Sequence, residues 1–132
     1  DNYHRELIEA CERTGTEVLL VCPEVFGGLP TPRKPSEIVN GEVRTCEGIS
    51  VDREFRLGAQ RALDMCEQAG GPSEIVACIL QDRSPSCGVG HIYDGSFRGT
   101  LTTGNGVFVD LLLRHGYRVI PASEFDSSML RQ

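Results

Sequence analysis

Short apolar runs that alternate with helical patterns constrain the fold of this chain more than any other feature. Three runs of strand-forming residues stand out: EVLLVC over 17–22, EIVACIL over 74–80 and YRVIPA over 117–122. Continuous apolar runs of this kind are typical of strands buried on both faces. A helical pattern precedes each run, and such alternation indicates parallel strands connected by helices. The sequence therefore predicts an α/β fold in three layers, in which helices flank a small, mostly parallel sheet.

The helical patterns cover residues 3–14, 53–69 and 106–115. Asp52 and Asn105 stand directly before the second and third of them and are predicted to cap those helices. The second pattern places an apolar stripe on one face, made of Phe55, Ala59, Ala62, Leu63 and Cys66.

Two turn signals interrupt the alternation. Asn40-Gly41 lies between two pairs of β-prone residues in EIVNGEV, which predicts a β-hairpin inserted between the first strand and the second helix. Asp94-Gly95 lies at the centre of HIYDGSF and predicts a turn with short extended flanks.

Length and composition narrow the class of protein. A chain of 132 residues, 39% of them hydrophobic, suffices for one domain with a core, so residues 1–132 are interpreted as a single domain. The net charge of −6, without a cluster of Lys and Arg, argues against binding to nucleic-acid polymers. No apolar run approaches the roughly 20 residues that a membrane span requires.

The six cysteines are interpreted as thiols of a protein in the reducing cytoplasm rather than as a disulfide framework. Most of them lie inside helix or strand patterns, whereas disulfide scaffolds are usually small and rich in loops. Cys11, Cys66 and Cys78 fall on apolar faces and are predicted to lie in the core. Cys46, in the hairpin region, stays ambiguous.

Cys22 and Cys87 differ from the other cysteines because each follows a predicted strand. The carboxyl ends of neighbouring parallel strands meet at one edge of a sheet, where ligands bind. Two thiolates at that edge could hold a soft metal or an iron–sulfur cluster. The alternative is that both are small buried hydrophobic residues, which is the common fate of a cysteine thiol.

Polar residues accompany these two cysteines. Glu24 could act as a general acid or base, or it could be a solvated carboxylate or a helix-capping residue. Ser84 and Ser86 flank Pro85, and either could donate a hydrogen bond to a ligand or simply stabilise the turn. The Gly-Asn-Gly sequence at 104–106 opens a helix whose N–H groups could receive an anion.

Three segments together resemble a known family: CPEVFGGLPTPRKPSEI, RSPSCGVGHIYDGSF and GNGVFVDLLLRHG. They are similar to a family of small bacterial proteins, long described as a domain of unknown function and typified by thiouracil desulfidase. The similarity extends over nearly the whole chain. The combination of Cys-Pro-Glu, Gly-Gly-Leu-Pro-Thr-Pro-Arg and Ser-Pro-Ser-Cys-Gly is specific to it.

The resemblance implies an enzyme that removes sulfur from a thiolated pyrimidine or a similar small thioamide without net redox change. Its [4Fe–4S] cluster has three cysteine ligands, and one iron stays open for the substrate sulfur, which leaves as hydrosulfide. Matched motif by motif, Cys22 and Cys87 would be metal ligands. Glu24 would handle the protons of water and substrate, Ser84 would orient substrate or water, and Ser86 is the additional substrate-binding candidate.

In the family pattern, the third cysteine lies in a strand ahead of the first helix, and this sequence contains no such segment, so we expect the domain to be incomplete at its N-terminus. Gln81 also stands where the family pattern has lysine.

Two other functions stay open: a metal-free enzyme that uses Cys87 as nucleophile or persulfide carrier, and a module that binds a small ligand without catalysis.

Overall fold

The computed structural model describes residues 2–19, 21, 23–30, 33–81 and 84–130. Its α-helices are α1 (Asn2–Thr14), α2 (Pro23–Phe26), α3 (Asp52–Gln68) and α4 (Val107–Arg114). Its strands are β1 (Ser36–Val39), β2 (Glu42–Thr45), β3 (Cys78–Leu80), β4 (His91–Tyr93), β5 (Leu101–Thr103) and β6 (Val119–Pro121). Short 3₁₀ turns cover Gly71–Ser73, Ala122–Glu124 and Ser127–Leu130. The chain therefore has the predicted α/β architecture.

Strands β3 and β6 form the parallel part of the fold. They pair with Cys78 opposite Val119 and Leu80 opposite Pro121, and α4 lies between them along the chain. Helices α3 and α4 pack against each other and share the core with this pair. The core cluster consists of Ala59, Ala62, Leu63, Cys66, Leu80, Phe108, Val109, Leu112 and Tyr117. The stripe predicted on α3 is confirmed, since all five of its residues are buried.

The strand predicted over 17–22 does not form among the described residues 17–19 and 21. Val18 and Leu19 leave 41% and 44% of their surfaces exposed, although Val21 packs against the core cluster. A strand exists only where its backbone joins a ladder of hydrogen bonds. Within the described chain, β3 pairs with β6, and none of these four residues joins that ladder.

The predicted hairpin at Asn40-Gly41 is confirmed as β1 and β2. Both turn residues have positive φ, 50° for Asn40 and 81° for Gly41, as a two-residue turn matched to the twist of the strands requires. A second hairpin, β4 and β5, follows β3. Its connection runs from Asp94 to Thr100, so it is longer than the predicted turn.

A buried carboxylate joins the two hairpins. Glu37 on β1 is 8% exposed, and its Oε1 accepts hydrogen bonds from the N–H groups of Gly95 at 2.9 Å and Phe97 at 3.1 Å. A buried carboxylate is stable only where donors replace its hydration. Glu37 therefore fixes the 94–100 loop over the first hairpin.

Both predicted helix caps are wrong. Val51 is the N-cap of α3 and Gly106 that of α4, and neither helix has a side-chain cap. Asp52 instead accepts the N–H of Val43 on β2 at 3.0 Å, and Asn105 accepts the N–H of Gly90 at 2.7 Å. Each side chain also bonds to a side chain of its own helix, Asp52 to Arg56 at 2.8 Å and Asn105 to Asp110 at 3.2 Å, but neither caps that helix.

Candidate functional site

The Ser84–Gly88 loop follows β3 at the carboxyl end of the parallel pair, and Ser84 closes it. The Ser84 hydroxyl oxygen accepts the N–H of Cys87 at 2.7 Å, and the Ser84 carbonyl accepts the N–H of Gly88 at 3.0 Å. Pro85, between them, is buried. The side chain of Ser84 thus stabilises the turn, as one of the two interpretations of this residue predicted.

The first turn of α4 lies directly on this loop. The N–H groups of Val107 and Phe108 donate to the carbonyls of Pro85 at 2.6 Å and Ser86 at 2.9 Å, and the N–H of Gly106 donates to Gly88 at 2.8 Å. These are the donors that a helix leaves without intrahelical partners. Because the loop carbonyls occupy them, the prediction that they receive an anion is wrong.

Two glycines allow this contact between backbones. A Cβ atom on Gly106 would overlap the carbonyl group of Ser86 and lie 2.7 Å from the nitrogen of Cys87. A Cβ atom on Gly88 would lie 2.7 Å from the side chain of Ile92 and 2.8 Å from the oxygen of His91. Atoms this close cannot be accommodated without displacement, so the positions require glycine.

Cys87 is half-buried in this loop and packs against the core cluster. Its thiol lies 3.7 Å from the hydroxyl oxygen of Ser86 and can donate a weak hydrogen bond to it. Ser86 is 1% exposed. The loop therefore brings three predicted site residues together: Ser84, Ser86 and Cys87.

Glu24 lies in the first turn of α2 and forms an ion pair with Arg33. Arg33 donates from Nε at 2.8 Å and from Nη2 at 2.5 Å, both to Oε2 of Glu24, and from Nη1 to the carbonyl of Pro30 at 3.1 Å. The two side chains are only 18% and 27% exposed. Glu24 is therefore a positioned carboxylate rather than a solvated one.

Helix α2 owes its position to two glycines. A Cβ atom on Gly27 would overlap the carbonyl of Glu54 in α3, and one on Gly58 of α3 would overlap the carbonyl of Pro23. The backbones of α2 and α3 are consequently in direct contact. This contact holds the backbone of α2, which carries Glu24, against α3.

A surface pocket of about 670 Å³ borders the ion pair, because Arg33 forms part of its wall. The pocket lies between the 29–36 loop and the end of the first hairpin. Its apolar wall includes Leu29, Pro30, Ile49 and Val51. The chain thus presents an apolar surface next to a positioned carboxylate.

Comparison with known proteins identifies the family. A model of the 2-thiouracil desulfurase family matches residues 1–124. The chain belongs to this family. It is 37% identical to the uncharacterized protein YbbK of Bacillus subtilis (strain 168), in a match that covers 83% of this chain and 77% of the relative. It also resembles the solved structure of the [4Fe-4S]-dependent thiouracil desulfidase TudS, with a TM-score of 0.80 and 41% identity over 90% of this chain and 76% of that chain.

Of the two cluster ligands predicted from the family pattern, the structure of this desulfurase-family chain describes Cys87. A half-buried thiol on a loop fixed by backbone hydrogen bonds is a suitable cluster ligand. The other predicted ligand, Cys22, lies outside the described residues. Within the described ranges, no group of three or more His, Cys, Asp and Glu side chains could hold a metal ion.

Of the remaining cysteines of this family member, three were predicted to lie in the core and do so, and Cys46 was left ambiguous. Cys11 and Cys66 are each 5% exposed, and Cys78 is half-buried against the core, whereas Cys46 is exposed. No helix in the described part of the chain is long and apolar enough to cross a membrane.

Arg33 and Gly106 lie within motifs noted in the sequence, but neither was predicted to position a site residue. A signal for Arg33 was its opposite charge nine residues after Glu24, in a loop whose prolines restrict the backbone. A signal for Gly106 was a second glycine directly before an apolar helix, although spacing alone did not reveal the carbonyl of Ser86 as its neighbour.

Proposed function

We propose that this chain replaces the sulfur of a thiolated pyrimidine, or of a similar small thioamide, by the oxygen of water. The observation that carries the proposal is the Ser84–Gly88 loop, which presents the Cys87 thiol on a backbone fixed by α4. Membership of the 2-thiouracil desulfurase family and the likeness to TudS support the same reaction. Written in full, a thiocarbonyl and water give a carbonyl and hydrogen sulfide, so no net electron transfer is required.

Cys22 and Cys87 would be ligands of a [4Fe–4S] cluster, as the family pattern assigns them. When bound, the cluster would supply an iron with an open position that polarises the thiocarbonyl bond and accepts the sulfur, which leaves as hydrosulfide. Cys87 must then be deprotonated. The Ser86 hydroxyl, 3.7 Å from its sulfur, could donate a hydrogen bond to the resulting thiolate.

Glu24 would take the proton of the attacking water and pass it to the departing group. Its Oε2 already accepts two hydrogen bonds from Arg33, so Oε1 is the oxygen that we assign to proton transfer. Arg33 keeps the carboxylate in one orientation, which a general base requires. The apolar pocket beside Arg33 would receive a flat heterocyclic ring.

Ser84 and Ser86 would act at the sulfur end of the substrate. The Ser84 oxygen already accepts the N–H of Cys87, so its own proton is the group left to orient substrate or water. Ser86 lies beside the Cys87 sulfur, and any contact that it makes with substrate would therefore be with the atoms nearest that sulfur.

The first experiment measures iron and acid-labile sulfide per chain after anaerobic reconstitution. The protein should be produced from its complete reading frame, including any residues that precede Asp1. We expect roughly four of each per chain, lost in Cys87→Ala and kept in Cys46→Ala, whose thiol is exposed on a different loop.

The second measurement is release of hydrosulfide from 2-thiouracil by the same preparations. Turnover that depends on iron supports the proposal. Turnover by iron-free protein that alkylation of Cys87 abolishes would replace it by the metal-free cysteine enzyme. Binding of thiouracil without turnover would favour a binding module.

A further inference from the structure

Cys66 and Cys78 form a second thiol site that is separate from the Ser84–Gly88 loop. Cys66 lies near the end of α3 and is 5% exposed, and Cys78 is the first residue of β3 and is half-buried. Cys66 belongs to the core cluster and Cys78 packs against it, and hydrogen bonding between the two thiols shifts the pKa of both. Two sulfur atoms within hydrogen-bond reach need only a small movement to form a covalent bond.

The neighbouring side chains are engaged with each other. Tyr117 is 4% exposed and donates its hydroxyl proton to Oε2 of Glu67 at 2.8 Å, and Nδ1 of His115 lies 3.6 Å from Oε1 of Glu67. As far as the structure describes the chain, the pair has no third ligand that would make it a metal site. The chemistry left to this site is that of two thiols.

We propose that Cys66 and Cys78 are a redox-modification site at which hydrogen peroxide forms an intramolecular disulfide. The Cys66 thiolate attacks one peroxide oxygen, the O–O bond breaks, and Cys66 becomes a sulfenic acid while one water is released. The Cys78 sulfur then attacks the Cys66 sulfur, the S–O bond breaks, and a second water leaves. Two thiols lose two electrons and two protons, and one peroxide is reduced to two waters. This proposal does not depend on the desulfidase function.

The surroundings assign different roles to the two thiols. The hydrogen bond from Cys78 lowers the pKa of Cys66, although burial and the charge of Glu67 act in the opposite direction. The same hydrogen bond, together with burial, raises the pKa of Cys78. Cys66 is therefore the attacking thiol and Cys78 the resolving one. The partly exposed side of Cys78 gives a molecule as small as peroxide a path to the pair.

The disulfide would link the end of α3 to the start of β3. The connection between them contains Gly70, with φ of 117°, and the short turn Gly71–Ser73. Closing this loop covalently restricts the unfolded chain, so we expect the melting temperature of the oxidised protein to rise by roughly 5–10 °C. Addition of a reductant should reverse the shift.

The decisive experiment is peptide mapping of the reduced protein after brief treatment with dilute hydrogen peroxide. Trypsin cleaves after Arg61 and Arg83 and so releases residues 62–83, which contain Cys66 and Cys78 and no other cysteine. We expect this peptide to lose the mass of two hydrogen atoms. A protease that cleaves after glutamate separates the two cysteines at Glu67 and Glu74, and the fragments should stay joined until reduction.

Cys46 serves as the internal comparison because it is exposed. Recovery of 62–83 with both thiols reduced, after Cys46 has been oxidised, would overturn the proposal. So would disulfides from Cys66 or Cys78 to other cysteines, or separate sulfinic acids on the two residues.

Two single variants test the assigned order of attack. In Cys78→Ala, the Cys66 sulfenic acid has no resolving partner and should be trapped by dimedone. In Cys66→Ala, trapping at Cys78 should be several-fold slower, and equal trapping would contradict the order of attack. The wild-type map decides the proposal even if neither variant folds.

Discussion

The two segments that carry the predicted site residues are held by different kinds of contact. The Ser84–Gly88 loop is attached to α4 by hydrogen bonds between backbone groups, with Gly106 at the junction. The segment with Glu24 is attached to α3 by a contact between two glycines, and its carboxylate is oriented by Arg33. Both segments therefore have a fixed backbone, and the second also holds its site side chain by an ion pair.

The difference matches the chemistry that each segment would perform. A cluster ligand must keep one sulfur position in every state of the reaction, and backbone hydrogen bonds fix the Cα–Cβ bond from which that sulfur extends. A general base must exchange protons, so it requires correct orientation while staying responsive to its surroundings. We therefore expect substitutions at the glycines of the backbone contacts to lower stability. Substitutions at the ion pair should affect turnover more than stability.

The largest expected effect on stability follows from adding a methyl group at Gly106, where α4 meets the Ser84–Gly88 loop. Gly106 has φ of −66°, which suits any residue, so steric overlap with Ser86 is the reason for glycine. We expect Gly106→Ala to lower the free energy of unfolding by about 3 kcal/mol or more, and to abolish iron binding. Urea denaturation measures the first effect and iron analysis the second.

Gly104→Ala is the matched control for that substitution. Its Cβ atom would meet only the end of the Ile92 side chain, at 3.1 Å, which can move aside. The decrease in the free energy of unfolding should be well below that for Gly106→Ala. Equal decreases would show that any substitution in this segment is destabilising, and that contact between backbones is not the specific cause.

The second largest effect on stability is expected at the contact between α2 and α3. Replacing a helical glycine by alanine normally stabilises a helix by about 1 kcal/mol. Gly58→Ala should destabilise the protein instead, by about 2 kcal/mol, because the methyl group would displace the carbonyl of Pro23. Gln60→Ala, at an exposed position of the same helix, should stay within about 0.5 kcal/mol of wild type. A gain in stability for Gly58→Ala would contradict the direct backbone contact.

These junctions also explain what the sequence could and could not predict. Asn40-Gly41 and the apolar stripe of α3 were predictable because the residues that decide them lie within a few positions of one another. The caps were wrong because Asp52 and Asn105 bond to Val43 and Gly90, which no local pattern shows.

The candidate site divides in the same way. Ser84 and Cys87 share one short motif, so their proximity follows from sequence. The pairing of Glu24 with Arg33 depends on how the proline-containing loop between them folds back.

The third effect concerns the side-chain hydrogen bond from the N–H of Cys87 to Ser84, which closes the loop. Ser84→Ala removes the acceptor for the N–H of Cys87 and should lower the free energy of unfolding by about 1 kcal/mol. Ser84→Thr keeps the hydroxyl and should recover most of the loss. If turnover falls in Ser84→Ala and returns in Ser84→Thr while iron content stays constant, the hydroxyl acts on substrate or water as well as on the turn.

The smallest effect on stability is expected at the ion pair, where the effect on turnover should be large. Arg33 and Glu24 are both partly exposed, so Arg33→Ala should change the free energy of unfolding by less than about 1 kcal/mol. Turnover of 2-thiouracil should nevertheless fall by roughly 10- to 100-fold, chiefly in kcat, because the carboxylate loses its orientation. Arg33→Lys keeps the charge but cannot donate two hydrogen bonds from a rigid plane, so it should restore only part of the rate. Full activity in Arg33→Ala, with iron content unchanged, would mean that Glu24 needs no fixed orientation. The Ser84–Gly88 loop and the segment with Glu24 would then differ only in how much each contributes to stability.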